Sequence, residues 1–170
     1  MESFRPRSQL LNDVIEGRLA VEGSFSAPEN LREVIALMQD ADASNRDWAT
    51  FIVAHTAIDT AEIRVALRQA IHDCDLDVRD EAILGLARRE PAAALNLLSP
   101  LLKEGLGHAL LEAAAIVAHP SLLPPLEVLQ SWSGGREGTQ ERLETAVQAC
   151  RSGVSVDRLR KDGKSQYLLS

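Results

Sequence analysis

The chain has 170 residues, a formal net charge of −7, 45% hydrophobic residues and only 4% aromatic residues. This length suits one domain, and with so few aromatic side chains its core has to be packed by leucine, alanine, isoleucine and valine. The composition favours helices over sheets, because the β-branched and aromatic runs typical of strands are almost missing.

Apolar periodicity and turn signals predict nine helices in chain order. They cover residues 8–20, 29–39, 45–57, 61–72, 78–89, 92–103, 107–118, 122–131 and 139–151. Ser26 and Asp59 each lie three residues before a glutamate, which is the capping pattern of a helix start. Pro91 and the prolines of residues 120–125 mark further breaks between helices. The sequence therefore predicts an all-α fold.

Two segments of the chain superimpose without a gap when residues 37–54 slide by 33 positions onto residues 70–87. Six identical pairs result: Asp40 and Asp73, Asp42 and Asp75, Arg46 and Arg79, Asp47 and Asp80, Ala49 and Ala82, and Ala54 and Ala87. A weaker third copy, offset by 31, pairs Glu81 with Glu112, and a fourth unit over residues 122–150 keeps the two-helix pattern with a looser connector. A repeat of this length predicts stacked helical hairpins.

The period is carried most clearly by three alternating aspartates from Asp73 to Asp77, followed by Val78, Arg79 and, three residues later, Ala82. This pattern resembles the HEAT-repeat family over roughly residues 29–150, and the clearest repeats are 29–118. The resemblance implies a right-handed α-solenoid of about four HEAT-like helical hairpins, with the second helix of each lining a concave face. Residues 46–51 and 80–89 also resemble a group of small bacterial HEAT-repeat proteins, some of which neutralise toxins.

These repeats predict a single HEAT-like domain over residues 1–151. A basic C-terminal tail follows over residues 152–170, with 5 bases and 2 acids in residues 151–170. We expect this tail to be disordered or loosely packed, and a docking peptide or a final helix is the alternative.

The alternating Asp73, Asp75 and Asp77 invite comparison with a calcium-binding loop. The comparison fails because Val78 and Leu84 stand where such a loop needs its glycine and its bidentate glutamate. We predict instead that these aspartates cap the next helix.

Two arginines and two cysteines also receive structural interpretations. Arg46 and Arg79 begin matched helices, where a guanidinium can bridge carboxylates or carbonyls of neighbouring repeats. Cys74 and Cys150 are far apart and have apolar or small neighbours at helical spacing. We predict that both are small buried hydrophobes rather than parts of a disulfide or a metal site.

No sequence pattern of a catalytic site occurs in the chain. A nucleophile elbow, a phosphate loop, paired cysteines and a zinc-binding His-Glu-x-x-His motif are all missing. His55, Arg88 and His119 align across repeats, but neighbouring repeats are roughly 10 Å apart, too far to share a metal or a proton. We predict no catalytic residue, no cofactor and no metal; an enzyme acting on nucleic acid or a tetrapyrrole is the lowest-ranked alternative.

Matching the second helices by the repeat offsets aligns columns of side chains that we predict as a protein-binding surface. In one column Trp48, Glu81 and Glu112 align, so we expect the glutamates to be solvated and Trp48 to be a partly exposed anchor or a packing exception. Neighbouring columns complete the predicted protein-binding residues, which are Asp47, Trp48, His55, Asp80, Glu81, Arg88 and Glu112.

The charge distribution favours a basic protein partner. Residues 29–120 carry 15 acids and 8 bases, a net −7, which disfavours general nucleic-acid binding, although solubility alone would also explain it. No signal-peptide core or membrane-length apolar run is present, so we expect a soluble, cytoplasmic protein without membrane contact.

Combined with the resemblance to toxin-neutralising proteins, these features predict an immunity protein. Such a protein would use an acidic concave face to bind and block a basic bacterial toxin domain such as a nuclease. The alternative is a scaffold or regulatory adaptor for a protein complex.

Overall fold

Every regular element is helical in the part of the chain that the computed structural model describes, which is residues 5–105, 107–132 and 138–157, without the side chain of Trp132. The α-helices there are α1 (Gln9–Ile15), α2 (Ala27–Leu37), α3 (Ala43–His55), α4 (Ala61–Ala70), α5 (Leu76–Arg89), α6 (Pro91–Leu101), α7 (His108–Val117), α8 (Leu123–Trp132) and α9 (Thr139–Ser152). A 3-10 turn, Pro120–Leu122, precedes α8. The predicted all-α fold is confirmed.

Each predicted helix overlaps one helix of the structure, and the largest difference in length is at α1. That helix ends at Ile15 instead of residue 20, and Gly17 follows with φ of +73°. A left-handed glycine just after a helix stops its continuation, because it turns the chain away from the helix axis. Two predicted features, the Gly134-Gly135 connector and most of the basic tail, lie outside the described residues.

The chain divides into two compact units, Met1–Gly85 and Leu86–Ser170, with the boundary inside α5. The fully buried large side chains of the first unit include Leu11, Met38, Ile63, Leu67, Ile83 and Leu84. Those of the second unit include Leu86, Leu98, Leu102, Leu111, Leu122 and Leu126. No aromatic residue is among the buried hydrophobic residues of the described ranges, so the predicted aliphatic core is confirmed.

The same hydrogen bonds begin α3 and α5, one repeat apart. Asp40 accepts the backbone N–H of Asp42 at 2.8 Å, and Asp42 accepts that of the second residue of α3 at 2.9 Å. Asp73 accepts the backbone N–H of Asp75 at 2.9 Å, and Asp75 accepts that of the second residue of α5 at 2.9 Å. The predicted capping role is therefore confirmed for Asp75, whereas Asp73 binds the backbone of the turn before α5 and Asp77 lies in the first turn of the helix. The 33-residue offset recurs in the geometry.

Of the two other capping predictions, Ser26 does occupy the N-cap position of α2 but without the expected side-chain hydrogen bond, and Asp59 is wrong for α4. Ser26 has helical dihedral angles, φ −85° and ψ −8°, and its side chain makes no capping hydrogen bond. The cap of α4 is Thr60, in extended conformation, whose Oγ1 accepts the N–H of Ile63 at 3.2 Å. Asp59 pairs with Arg64 instead. A side chain can cap the start of a helix where the backbone of its own residue is extended. Thr60 meets this condition at the start of α4.

Helix α3 occupies the middle of the first unit, where it packs against α1, α2 and α4. The buried Asn45 ties α1 to it, because Asn45 Oδ1 accepts the N–H of Ser8 at 2.9 Å. Helix α5 also passes close by at Gly85: a Cβ atom there would lie 3.1 Å from Cα of Ala54 and 2.7 Å from Cδ2 of Leu67. The second helices of the two clearest repeats, α3 and α5, are thus neighbours.

In the second unit α7 packs against α6 and α9, and α8 packs against α9. His108 Nε2 and Thr139 Oγ1 lie 3.0 Å apart and join the first turns of α7 and α9. No helix in the described ranges combines the length and the apolar character that crossing a bilayer requires.

The two cysteines have opposite environments. Cys150 is buried in the second unit, and burial raises the pKa of its thiol to about 11. Cys74 is exposed, which corrects the prediction that both cysteines are buried. It lies in the turn between α4 and α5, where helical spacing no longer determines which side chains face the core.

Candidate protein-binding face

The seven predicted binding residues divide between the two units. Five belong to the first unit: Asp47, Trp48 and His55 on α3, and Asp80 and Glu81 on α5. Arg88, in the last turn of α5, and Glu112, on α7, belong to the second.

Three aromatic side chains line one face of α3. Trp48, Phe51 and His55 follow one another at spacings of three and four residues, which places them on the same side of a helix. The ring centroids of Trp48 and Phe51 are 5.7 Å apart in an edge-to-face arrangement, and those of Phe51 and His55 are 4.2 Å apart. Trp48 is half-buried, whereas Phe51 is 39% exposed. We call these three residues the aromatic row.

Phe51 is the member of this row that the sequence comparison missed. Sliding by 33 residues pairs it with Leu84, which is fully buried on α5. The repeat counterpart of Phe51 is therefore a core residue, whereas Phe51 itself is exposed. The available signal was its spacing of three residues from Trp48 and four from His55.

His55 connects the aromatic row to α5. Its Nδ1 lies 2.9 Å from the carbonyl oxygen of Phe51 and 3.9 Å from Oε2 of Glu81. A carbonyl oxygen only accepts hydrogen bonds, so Nδ1 carries the proton of this contact and the ring orientation is set by it. The side chains of Glu81 and Glu112 are each only 19% exposed, which corrects the expectation that both are solvated.

Asp47 and Asp80 are half-buried carboxylates on the same two helices. Burial raises the pKa of Asp47 to about 6, and the negative charges of Asp77 and Asp75 add to the increase. The pKa of Asp80 is also raised to about 6 by burial, with Arg79 opposing and Asp77 reinforcing the shift. At neutral pH both groups are ionised at a cost in free energy, which a neighbouring cation would offset.

Arg46, at the start of α3, reaches out of its own hairpin. Its Nε and Nη2 bind the two carboxylate oxygens of Asp73, and its Nη1 donates to the carbonyl of Asp40 at 3.0 Å. The predicted bridging of carboxylates and carbonyls by Arg46 is confirmed. In the described ranges, no three acidic, histidine or cysteine side chains are arranged to hold a metal ion.

The charged residues predicted in the second unit bind one another. Arg88 Nη2 lies 2.9 Å from Oε1 of Glu112, and Arg142 lies 3.8 Å from the other oxygen of the same carboxylate. Arg88 also approaches Asp157 at 3.9 Å. Arg88 and Glu112 therefore balance each other's charge within their unit. The face of the first unit, in contrast, combines an aromatic row with three partly covered carboxylates.

These observations define an all-helical protein of helix pairs with recurring aspartate caps and an aromatic and acidic face on two second helices. No sequence model of a known family matches the chain. Residues of this chain are 31% identical over 97 residues to Protein YibA of Escherichia coli K12, and equally to Protein YibA of Escherichia coli O157:H7. The match covers 56% of this chain and 35% of each relative, so it spans about a third of their length.

A solved structure is also similar to the chain. The X-ray structure of Escherichia coli YibA superimposes with a TM-score of 0.59 over 82% of this chain and 54% of that one. The two are 22% identical in this comparison. The likeness at this level of identity concerns the fold alone.

Proposed function

We propose that the chain is a HEAT-like α-solenoid of about four helical hairpins that binds another protein without catalysing a reaction. In its most concrete form it is an immunity protein that binds and blocks a basic bacterial toxin domain such as a nuclease. The observation that carries this proposal is on α3 and α5, where Glu81 lies beside His55 of the aromatic row and the half-buried carboxylates Asp47 and Asp80 belong to the same two helices.

Two features support the solenoid. The caps of α3 and α5 are the same at an offset of 33 residues, as expected for stacked copies of one hairpin. Arg46 of one hairpin pairs with Asp73 in the connector of the next, a contact between neighbouring repeats.

The composition of the face supports protein binding. Aromatic side chains contribute large contact areas and dominate many interfaces, and the half-buried Trp48 and exposed Phe51 provide such groups. The carboxylates around them are complementary to a basic surface. The net charge of −7 would accelerate association with a cationic partner and make it sensitive to salt.

The toxin-blocking form of the proposal draws on the resemblance of residues 46–51 and 80–89 to a group of small bacterial HEAT-repeat proteins, some of which neutralise toxins. Nuclease domains carry basic surfaces that bind phosphates, so an acidic face is suited to cover them. An adaptor role would use the same face without stopping the activity of the partner.

The test is capture of the partner with the tagged chain from its source bacterium, followed by mass spectrometry and expression of the captured protein. We expect one dominant basic protein that arrests growth by itself, with growth restored by co-expression of the chain. Recovery of housekeeping complexes alone, with no toxic component, would contradict the immunity role and favour the adaptor.

A charge-reversed variant tests the face. We expect Asp47→Lys, Asp80→Lys and Glu81→Lys together to abolish capture while helicity measured by circular dichroism is kept. The matched control reverses three exposed glutamates away from the face, with Glu29→Lys, Glu33→Lys and Glu62→Lys. Asp47→Asn with Asp80→Asn provides a milder change. Loss of capture only in the control variant would show that the binding surface lies elsewhere.

A further inference from the structure

We propose that the second unit holds a binding site for an apolar side chain followed by a carboxylate, and that the chain's own residues 153–157 occupy this site. We call these residues, which follow α9, the strap. A partner segment of the same chemistry displaces the strap and takes its place. The site shares no residue with the aromatic row and goes beyond the function proposed above.

The strap begins where α9 ends. Gly153 follows this helix with φ of +67°, a left-handed conformation that turns the chain away from the helix axis. Three residues later the side chain of Val156 is covered, and the residue is only 7% exposed. Asp157 then reaches the last turn of α5, where its Oδ2 lies 3.9 Å from Nε of Arg88. The strap therefore returns over the second unit to a helix that lies far earlier in the sequence.

Asp157 is the last member of a row of four charges that alternate in sign. Arg142 on α9 lies 3.8 Å from one carboxylate oxygen of Glu112 on α7. The other oxygen of Glu112 lies 2.9 Å from Nη2 of Arg88, whose Nε faces Asp157. Without Asp157 the row would hold two arginines and one glutamate, an excess of one positive charge. The place occupied by the strap therefore attracts a carboxylate.

The contacts of the strap are few enough to be exchanged. The distance of 3.9 Å between Arg88 and Asp157 exceeds that of a hydrogen bond, and the side chain of Asp157 is 29% exposed. A partner carboxylate that reaches hydrogen-bond distance would gain a charge-assisted bond. Val156 is the one buried residue among residues 153–157. A partner segment with an apolar residue before its acid would therefore replace both contacts.

These features select an acidic and apolar segment among the possible partner groups. A lysine or arginine of the partner would be repelled by the excess positive charge of Arg88 and Arg142. A phosphate would satisfy that charge but would leave the apolar place of Val156 unfilled. The carboxylate of an aspartate or glutamate beside a valine-sized side chain satisfies both.

The experiment uses the full chain, labelled with ¹⁵N, and a capped peptide that copies residues 152–157, Ser-Gly-Val-Ser-Val-Asp. In the released variant, Val156→Ser with Asp157→Asn, the strap lacks the two groups that compete with the peptide. A tethered group has an effective concentration in the mM range, so the peptide should bind the released variant about ten-fold more tightly than the parent chain. Binding should shift the amide signals of residues 86–89 and 110–114.

Two altered peptides separate the two contacts. Asparagine in place of the aspartate should weaken binding to the released variant roughly ten-fold, because the charge is lost. Serine in place of the last valine should weaken it roughly three-fold to ten-fold, because less apolar surface is buried. In the parent chain an excess of the original peptide should move the amide signals of Val156 and Asp157 toward those of an unfolded chain.

Further substitutions test the receiving side of the site. In the released variant, Arg88→Gln should abolish peptide binding, whereas Arg88→Lys keeps the charge without the planar fork and should weaken it. The matched control, Val128→Ser with Glu127→Gln, changes an exposed valine and an exposed acid on α8. This control should bind the peptide as weakly as the parent chain. Circular dichroism verifies the fold of each variant.

The inference is overturned if the released variant does not bind the peptide, if the asparagine peptide binds equally well, or if Arg88→Gln has no effect. Asp157→Asn alone is a milder release and should strengthen binding about three-fold. Loss of helicity in both release variants would also overturn the inference, because the strap would then be a permanent part of the fold. Since these measurements use no captured protein, failure of the proposed function would leave the peptide site intact, and failure of the site would leave capture intact.

Discussion

Arg46 holds the carboxylate of Asp73 with two parallel hydrogen bonds, Nε to Oδ2 at 2.7 Å and Nη2 to Oδ1 at 2.9 Å. Their side chains are only 14% and 12% exposed. The guanidinium holds the pKa of Asp73 below its ordinary value. Because Asp73 also binds the N–H of Asp75 before α5, one carboxylate links the start of α3 to the start of α5.

We expect Arg46→Lys and Asp73→Asn each to lower the free energy of unfolding by about 1–3 kcal/mol, since each breaks a covered, charge-assisted pair. Urea denaturation of both single variants and the double variant measures their coupling. The pair Arg64 and Asp59 is the control, because it has similar two-pronged geometry but is about 40% exposed and should couple by about 0–1 kcal/mol. Equal coupling in the two pairs would show that burial does not matter.

Asp47→Asn should stabilise the protein at neutral pH. The pKa of Asp47 is about 6 in the folded chain and near 3.8 when unfolded, so the ionised group destabilises the fold above pH 6. This penalty fades as the pH falls from about 6 to 3.8, because the folded carboxyl takes up its proton first. We expect a gain on the order of 1–2 kcal/mol at pH 7 that vanishes near pH 3.5. A gain independent of pH would refute this explanation.

Binding of a basic partner should release protons near pH 6. A cation beside Asp47 and Asp80 favours their ionised forms, so the raised pKa of each falls in the complex. Calorimetry of the captured partner in two buffers with different ionisation enthalpies measures the release, which should be near zero at pH 8. The double variant Asp47→Asn with Asp80→Asn, in which His55 is unchanged, should bind without this proton release. A release that persists in the variant would assign the protons to other groups.

Gly85→Ala should destabilise the first unit. The added Cβ would meet Cδ2 of Leu67 at 2.7 Å and Cα of Ala54 at 3.1 Å, so helices have to move apart. We expect a loss of about 1–3 kcal/mol, reduced by the better helix propensity of alanine, as measured by thermal and urea unfolding. Gly105→Ala is the control, because its Cβ has no atom within 4 Å. A Gly85→Ala variant as stable as the parent chain would mean that the contact relaxes freely.

The two thiols should react at very different rates with an alkylating reagent at pH 8. Cys74 is exposed, whereas Cys150 is buried with its pKa raised to about 11. Because the thiolate is the reactive form, mass spectrometry should find one label per native chain, on Cys74, and two labels after denaturation. Prompt labelling of Cys150 in the native chain would indicate local opening of the second unit.

Local signals in the sequence predicted most of the helices. The aspartates before α5 act on backbone groups two residues away, so their capping role depended on few other parts of the chain. The role of Arg46 followed from its position at the start of a repeated helix. The N-cap position of α2 was predicted correctly at Ser26, but its side-chain hydrogen bond is missing, and Asp59 was predicted in place of Thr60 at α4. Capping by a side chain requires extended backbone at one position, and sequence spacing does not specify that conformation.

The face was less predictable than the helices. Aligning repeats identified Trp48 and Glu81, but it treated each column as one environment. Phe51 is exposed although its counterpart Leu84 is buried, and Glu81 is largely covered, with His55 of the preceding hairpin 3.9 Å from its carboxylate. These differences arise from packing between helices, which a comparison of aligned positions does not contain.

The ion pair between Arg46 and Asp73 can form only after both residues have been synthesised. The ribosome adds Asp73 27 residues after Arg46. At about 5–20 residues per second, this interval lasts roughly one to five seconds. During that time α3 can form, with Asp42 as its cap. The guanidinium of Arg46, however, does not yet have Asp73 of the following hairpin to bind. Synthesis of the connector that contains Asp73 would then lock the start of α3, so these two parts of the first unit would consolidate in the order of their synthesis.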